Sequence, residues 1–170
     1  MEITMIGLGK MGLNMVKRLL RGGHTVYANN RSAAPVAEAE AAGAKGLASL
    51  ADLKKLAAPR VVWVMVPSGA PTNETIDQLV GILSTGDVVI DGGNSMFRDS
   101  IEHHKKLRAS GISFLDAGTS GGVWGLEVGY CLMVGGEKEV LPASSRSSKL
   151  SLPKTVIFSS ADRALVISPK

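Results

Sequence analysis

Glu2-Ile3-Thr4-Met5-Ile6-Gly7-Leu8-Gly9-Lys10-Met11-Gly12 decides the fold. Its first five residues form a short, mostly apolar run of strand character, and its last six spell G-x-G-x-x-G. Met11, Met15, Leu19 and Leu20 follow at helical spacing, and Gly22 and Gly23 close that stripe. In this pattern Gly7 permits the tight turn, Gly9 lets backbone amides approach a pyrophosphate, and Gly12 lets helix and strand pack closely. The free amide protons at the helix N-terminus favour an anion there. Taken alone, such glycines spell only a flexible turn. With a strand before and a helix after, Gly7, Leu8, Gly9, Lys10, Met11 and Gly12 read as a dinucleotide loop.

Beyond the loop, strand and helix patterns alternate. Thr25 to Asn29, Val61 to Val66, Val88 to Asp91, Ser113 to Ala117 and Tyr130 to Val134 read as strands. Pro35 to Ala42, Ser49 to Ala57, Thr72 to Leu83 and Asp99 to Ala109 read as helices, with Ser49 placed as a cap. Val61 to Val66 is continuously apolar, as a parallel strand buried on both faces requires. The order predicts an α/β, doubly wound, mainly parallel sheet of the Rossmann-like kind, whose ligands bind at the carboxyl ends of the strands.

The strand-end loops supply the other candidate residues. After Thr25 to Asn29 come Asn30, Arg31 and Ser32, where NAD sites commonly place a carboxylate for the ribose 2′-hydroxyl. A carboxylate would repel a 2′-phosphate, whereas an arginine binds it with charge-assisted bonds, so the expected cofactor is NADP rather than NAD. The alternative for Arg31 is a solvated turn residue. Met65, Val66 and Pro67 end the next strand; there the apolar side chains are either a floor for a nicotinamide ring or plain core. Asp91-Gly92-Gly93-Asn94-Ser95 offers Asn94, to bind a substrate hydroxyl or the nicotinamide carboxamide, or else to cap the following helix. Asp116-Ala117-Gly118-Thr119-Ser120-Gly121-Gly122 exposes amides and the Ser120 hydroxyl to a carboxylate or hydroxyl group.

The remaining chemistry-bearing residues read as bland. His103 and His104 sit among Lys105, Lys106 and Arg108 and are expected on a solvated helix face. His24 lies in a turn without a visible partner, and Cys131 in an apolar strand reads as core. No Cys/His spacing suggests a metal, and no serine-nucleophile elbow occurs.

Composition limits the classes. At 170 residues, 45 % hydrophobic and 20 % charged, the chain is expected to be a globular protein with roughly one domain. One cysteine excludes an internal disulfide framework and fits a reducing, cytoplasmic setting. No apolar run reaches the ~18 residues of a membrane span, so no membrane partner is expected. The net charge of +4 comes entirely from residues 140–170, where Arg146, Lys149, Lys154, Arg163 and Lys170 oppose Asp162 alone. The neutral remainder gives no sign of a nucleic-acid face. All 20 glycines lie before residue 137, while the tail is serine-rich. The reading is therefore a dinucleotide domain over 1–139 and a divergent, mostly irregular tail over 140–170. Within that tail Ser144 to Ser151 reads as irregular and Lys154 to Ser160 as an edge strand.

Assembled, these motifs resemble the 6-phosphogluconate dehydrogenases of the β-hydroxyacid dehydrogenase superfamily. The matching stretches are I-G-L-G-K-M-G-L-N-M (Ile6 to Met15), N-R-S (Asn30 to Ser32), D-G-G-N-S (Asp91 to Ser95) and S-G-G-V-W-G-L-E-V-G-Y-C-L-M-V-G-G (Ser120 to Gly136). The last resembles the shorter-chain, bacterial type of the decarboxylating enzyme. The resemblance implies a substrate site at Asn94, Ser120, Gly121 and Gly122. Val123 and Trp124 stand where long-chain members carry acidic residues, so those acids' roles do not transfer. It also implies a pentose phosphate pathway reaction, the NADP-dependent oxidation of 6-phosphogluconate at its 3-hydroxyl. Loss of carbon dioxide and reprotonation to ribulose 5-phosphate would follow, with no metal. The family's lysine base and glutamate acid belong to a K-x-x-H-N-x-x-E helix, and its homodimer to a helical domain; neither pattern occurs in this chain. The resemblance stops near residue 140, which predicts a truncated or frame-shifted reading of a longer gene that is inactive by itself. Two rivals stand beside it: a dehydrogenase for a smaller substrate such as 3-hydroxyisobutyrate, and a non-enzymatic dinucleotide-binding module.

Overall fold

The computed structural model describes residues 1–136 together with the strands Val156–Ser160 and Ala164–Ile167. Strands β1 (Glu2–Ile6), β2 (Thr25–Asn29), β3 (Lys45–Gly46), β4 (Val61–Val64), β5 (Val88–Asp91) and β6 (Ser113–Ser120) form the parallel part of one sheet. Strands β7 (Cys131–Gly136), β8 (Val156–Ser160) and β9 (Ala164–Ile167) extend it antiparallel, in the order β3-β2-β1-β4-β5-β6-β7-β9-β8. The direction of winding reverses between β1 and β4, and the loops after these two strands face one crevice.

Helices α1 (Lys10–Arg21), α2 (Ala33–Ala41), α3 (Ala70–Val80), α4 (Phe97–Ala109) and the single turn α5 (Gly125–Val128) cover the sheet. Two apolar clusters result. Met5, Met15, Leu19, Trp63 and Tyr130 belong to the first, and Val62, Val64, Ile76, Leu79 and Leu107 to the second. Strand β4 serves both, because alternate residues point to opposite faces. Its continuous apolar run follows from that double burial.

Several expectations shift. The stretch Ser49 to Ala57 forms a 3₁₀ helix over Leu50–Lys55 instead of an α-helix. The Asp52 carboxylate accepts the Ser49 N–H at 2.9 Å and closes that turn. Strand β6 runs on to Ser120 because β7 folds back beside it, pairing Ser120 with Cys131. In β7 the buried residues are Leu132 and Val134, so Cys131 is exposed and not core. The expected edge strand in the tail is observed over Val156–Ser160, and Ala164–Ile167 adds a second strand. Ser144 to Ser151 lies outside the described residues. Among the described residues no helix is long and apolar enough to cross a membrane.

Candidate dinucleotide and substrate site

The glycine loop is shaped by what surrounds each glycine. Gly7 has φ +94°, and a Cβ there would sit 2.5 Å from the Met65 carbonyl oxygen. A Cβ on Gly12 would sit 2.1 Å from the carbonyl oxygen of Gly7 itself. At Gly9, the N-cap just before α1, a Cβ would meet nothing within 4 Å. Two glycines are thus required by packing, whereas the third opens onto free space at a helix N-terminus. No side chain caps this end of α1, which leaves its first amides to an anion. The loop fits a pyrophosphate.

Leu8 is buried, Lys10 exposed and Met11 half-buried. The Leu8 amide is committed: it donates to Asn30 Oδ1 at 3.0 Å, while Asn30 Nδ2 donates to Ser32 Oγ at 2.9 Å. Arg31 stands exposed beside them and forms no ion pair among the described residues. The N-R-S turn therefore has one residue that shapes it and one cation left facing solvent.

The loop after β4 closes against the glycine loop, and the loop after β5 closes against that of β4. Val66 Cγ1 would lie 2.9 Å from a Cβ on Gly7, and the Val66 carbonyl oxygen 2.5 Å from one on Gly93. Val66 is half-buried and Pro67 exposed, with the Pro67 carbonyl held by Thr72 Oγ1 at 2.9 Å. Asn94 is exposed and has φ +59°, a left-handed conformation that costs a non-glycine residue strain. It does not cap the next helix; α4 begins after Met96, and no side chain caps it.

Beneath this loop lies a buried polar cluster that sequence reasoning missed. Asp91 is fully buried, and its carboxylate accepts the Gly93 N–H at 2.9 Å and the Ser95 hydroxyl at 2.7 Å. His103 is buried rather than solvated: Nε2 bonds Asn73 Oδ1 at 2.8 Å, and Nδ1 lies 3.8 Å from Asp91 Oδ2. A helical signal existed, since Ser100, His103 and Leu107 recur on one face, but Lys105 and Lys106 obscured it. Burial, and then the Asp91 charge, holds the Asp116 carboxyl above its ordinary value, with the Ser100 hydroxyl and His103 pulling the other way. His24 Nδ1 lies 3.4 Å from the N-terminal amine, which corrects its reading as a residue without a partner.

Ser120 is exposed at the end of β6, followed by Gly121 and Gly122 with φ +137° and +50°. This loop is brought to the glycine-loop helix, because Asn14 Nδ2 donates to the Val123 carbonyl at 3.3 Å. Among the described residues no group of three His, Cys, Asp or Glu side chains could hold a metal ion.

Residues 2–146 match the family model of the NAD binding domain of 6-phosphogluconate dehydrogenase. The chain is 45 % identical over 137 residues to an NAD(+)-dependent, decarboxylating 6-phosphogluconate dehydrogenase of Haloferax volcanii, covering 80 % of this chain and 45 % of that protein. A Plasmodium falciparum 6-phosphogluconate dehydrogenase structure, described with NADP+ and with 6-phosphogluconate, superposes with a TM-score of 0.78 at 27 % identity. It covers 86 % of this chain and 33 % of that one. The Mycobacterium tuberculosis 3-hydroxyisobutyrate dehydrogenase with L-serine gives a TM-score of 0.79 at 26 % identity, covering 88 % and 51 %. The chain spans about half the length of the first curated relatives it matches.

Proposed function

The chain belongs to the family of NAD binding domains of 6-phosphogluconate dehydrogenase, and from that premise we propose that it is the cofactor-binding portion of an NADP-dependent, decarboxylating sugar-acid dehydrogenase. The observation that carries the reading is the pairing of an open helix N-terminus at Gly9 with an uncommitted Arg31 at the end of β2. The first seats a pyrophosphate and the second a 2′-phosphate. When bound, the nicotinamide supplies a hydride acceptor. Gly9, Lys10 and Met11 would hold the phosphates, Asn30 and Ser32 would orient Arg31, and Val66, Pro67 and Asn94 would border the nicotinamide. Asn94, Ser120, Gly121 and Gly122 would receive the sugar acid.

Residues 1–139 form this unit in our reading, and 140–170 diverge from it. The K-x-x-H-N-x-x-E pattern expected to carry the base and acid does not occur within these 170 residues; groups of that kind contribute roughly 10²–10⁴-fold to catalysis. Our reading gives these residues the cofactor-binding role, in a cytoplasmic setting. The smaller-substrate reading shares the fold equally well, so N-R-S and D-G-G-N-S, not the superposition, favour a phosphorylated sugar acid.

Calorimetric titration with NADP and then NAD tests the reading, with turnover of 6-phosphogluconate and 3-hydroxyisobutyrate assayed on the same sample. NADP should bind at least ~10-fold more tightly than NAD, the worth of a charge-assisted bond, and any turnover should be of 6-phosphogluconate rather than of 3-hydroxyisobutyrate. Preference for NAD overturns the cofactor assignment. Turnover of 3-hydroxyisobutyrate overturns the substrate class.

A further inference from the structure

The connection between β6 and β7 is held down by a helix from the other end of the chain. Arg18, on α1, is 7 % exposed, and its Nη1 donates to the carbonyls of Leu126 at 2.7 Å and Glu127 at 3.3 Å. Asn14, one turn earlier, donates to the Val123 carbonyl, and Arg21, one turn later, pairs with the Glu127 carboxylate at 3.1 Å. The spacing i, i+4, i+7 places all three on one face of α1. Their partners lie more than a hundred residues away in sequence.

A guanidinium is rarely buried without a carboxylate partner, because desolvation is costly. Here its partners are neutral carbonyls of the one-turn helix α5, groups that have no acceptor role inside so short a helix. A cation at that end also meets the negative pole of the turn. The segment also packs on Tyr130, which itself lies beside Asn14 and Arg18: a Cβ on Gly125 would fall on its ring, and one on Gly121 3.1 Å from it. Residues 121–129 are thus held to α1 both by these bonds and through Tyr130.

We propose that Arg18 is a positioning residue for the Ser120–Gly122 loop. It clamps 121–130 to the helix whose N-terminus begins at Gly9, so one rigid element sets both the dinucleotide seat and the candidate substrate amides. This rests on the reading of Ser120, Gly121 and Gly122 as a substrate loop and of Gly9 as the phosphate seat. Because both sites share α1, occupancy of one stabilises the order of the other, and the coupling is reciprocal.

Hydrogen–deuterium exchange on the full chain tests the clamp, comparing the unaltered protein with Arg18→Met, which keeps the stem and loses the donors. Exchange of the 121–130 amides should rise at least ~10-fold while β1 and β2 stay as protected as before. Arg18→Lys, which restores one cationic donor, should recover part of the protection. Asn14→Ala, which leaves the core untouched, should raise exchange over 121–124 even if Arg18→Met does not fold. Unchanged exchange over 121–130 in these variants, or an equal rise throughout the chain, overturns the proposal. NADP should slow exchange over 7–12 in both proteins but over 121–130 only where Arg18 is present; slowing over 121–130 in Arg18→Met as well overturns the coupling. If NADP slows exchange nowhere, the cofactor reading fails, and the comparison without ligand still decides the clamp.

Discussion

The side-chain oxygen of Asn30 accepts the Leu8 N–H at 3.0 Å, so one amide ties the end of β2 to the glycine loop. Its Nδ2 holds the Ser32 hydroxyl in the same turn. Asn30→Asp keeps the acceptor but adds a negative charge beside Arg31. NADP affinity should fall ~10-fold or more while NAD affinity holds, as titration calorimetry would read. Arg31→Ala should lower NADP affinity by ~10–100-fold, the range of a hydrogen bond to a charged group, again sparing NAD. Equal losses for both dinucleotides would refute a 2′-phosphate role.

Gly9 and Gly12 should separate binding from folding. Gly12→Ala drives a methyl into the Gly7 carbonyl, and the thermal midpoint should drop by several degrees, in line with about 1–3 kcal/mol of overpacking. Gly9→Ala meets no protein atom, so its melting curve should overlay that of the unaltered protein. Dinucleotide affinity should nevertheless fall, because the methyl occupies the phosphate approach.

Asp116 sets a pH dependence of known sign. Its folded-state pKa is raised, first by burial and then by the Asp91 charge. The folded protein therefore binds more protons than the unfolded one, and this group's contribution falls as pH rises through its folded pKa. Asp116→Asn should be more stable than the unaltered protein at pH 7 in urea titrations. The gain should shrink as pH falls toward ~4, where the unfolded carboxyl also protonates. A gain that persists unchanged into acid would exclude this origin.

At the far end of the sheet, Asp87 is fully buried and accepts the Arg60 N–H at 2.7 Å, the Ser84 N–H at 2.9 Å and Arg60 Nη2 at 2.8 Å. Asp87→Ala leaves a nearly buried guanidinium without its counter-charge and should cost about 3–5 kcal/mol by urea denaturation. The folded fraction should bind dinucleotide as before, since this cluster precedes β5 and the site follows it. Loss of affinity per folded molecule would contradict that separation.

The centre of the parallel sheet was legible because β1, β4 and β5 are mostly apolar and each crossover ends in a glycine or proline, whereas the two-residue strand Lys45–Gly46 carries no such pattern and was not expected. The glycine loop was legible because backbone geometry, not a side chain, imposes its residues. What escaped reading depends on distant partners. His103 is drawn inward by Asn73 on another helix and Asp91 on a strand, and no local pattern carries that instruction. Asn30 stands where sequence reasoning looks for a ligand contact, yet its side-chain oxygen is engaged by Leu8 and its Nδ2 by Ser32. Cys131 is exposed because strand alternation sets its direction, which an apolar neighbourhood in sequence does not reveal. The clamp from Arg18 joins residues that a linear reading treats as belonging to separate motifs.

The nearest contacts that forbid a side chain at Gly7 and Gly12 are with main-chain atoms, the Met65 carbonyl and the Gly7 carbonyl. No change of residue elsewhere can shrink a carbonyl, so neither position has a second-site suppressor, and random drift is shut out of both. Gly125 differs, because the atoms in its way belong to the Tyr130 ring. There a larger residue can enter if Tyr130 contracts to leucine or alanine, and the two positions are free to co-vary. In a population of sequences sharing this backbone, the glycine loop would read as two frozen letters and the loop after β6 as a negotiated pair.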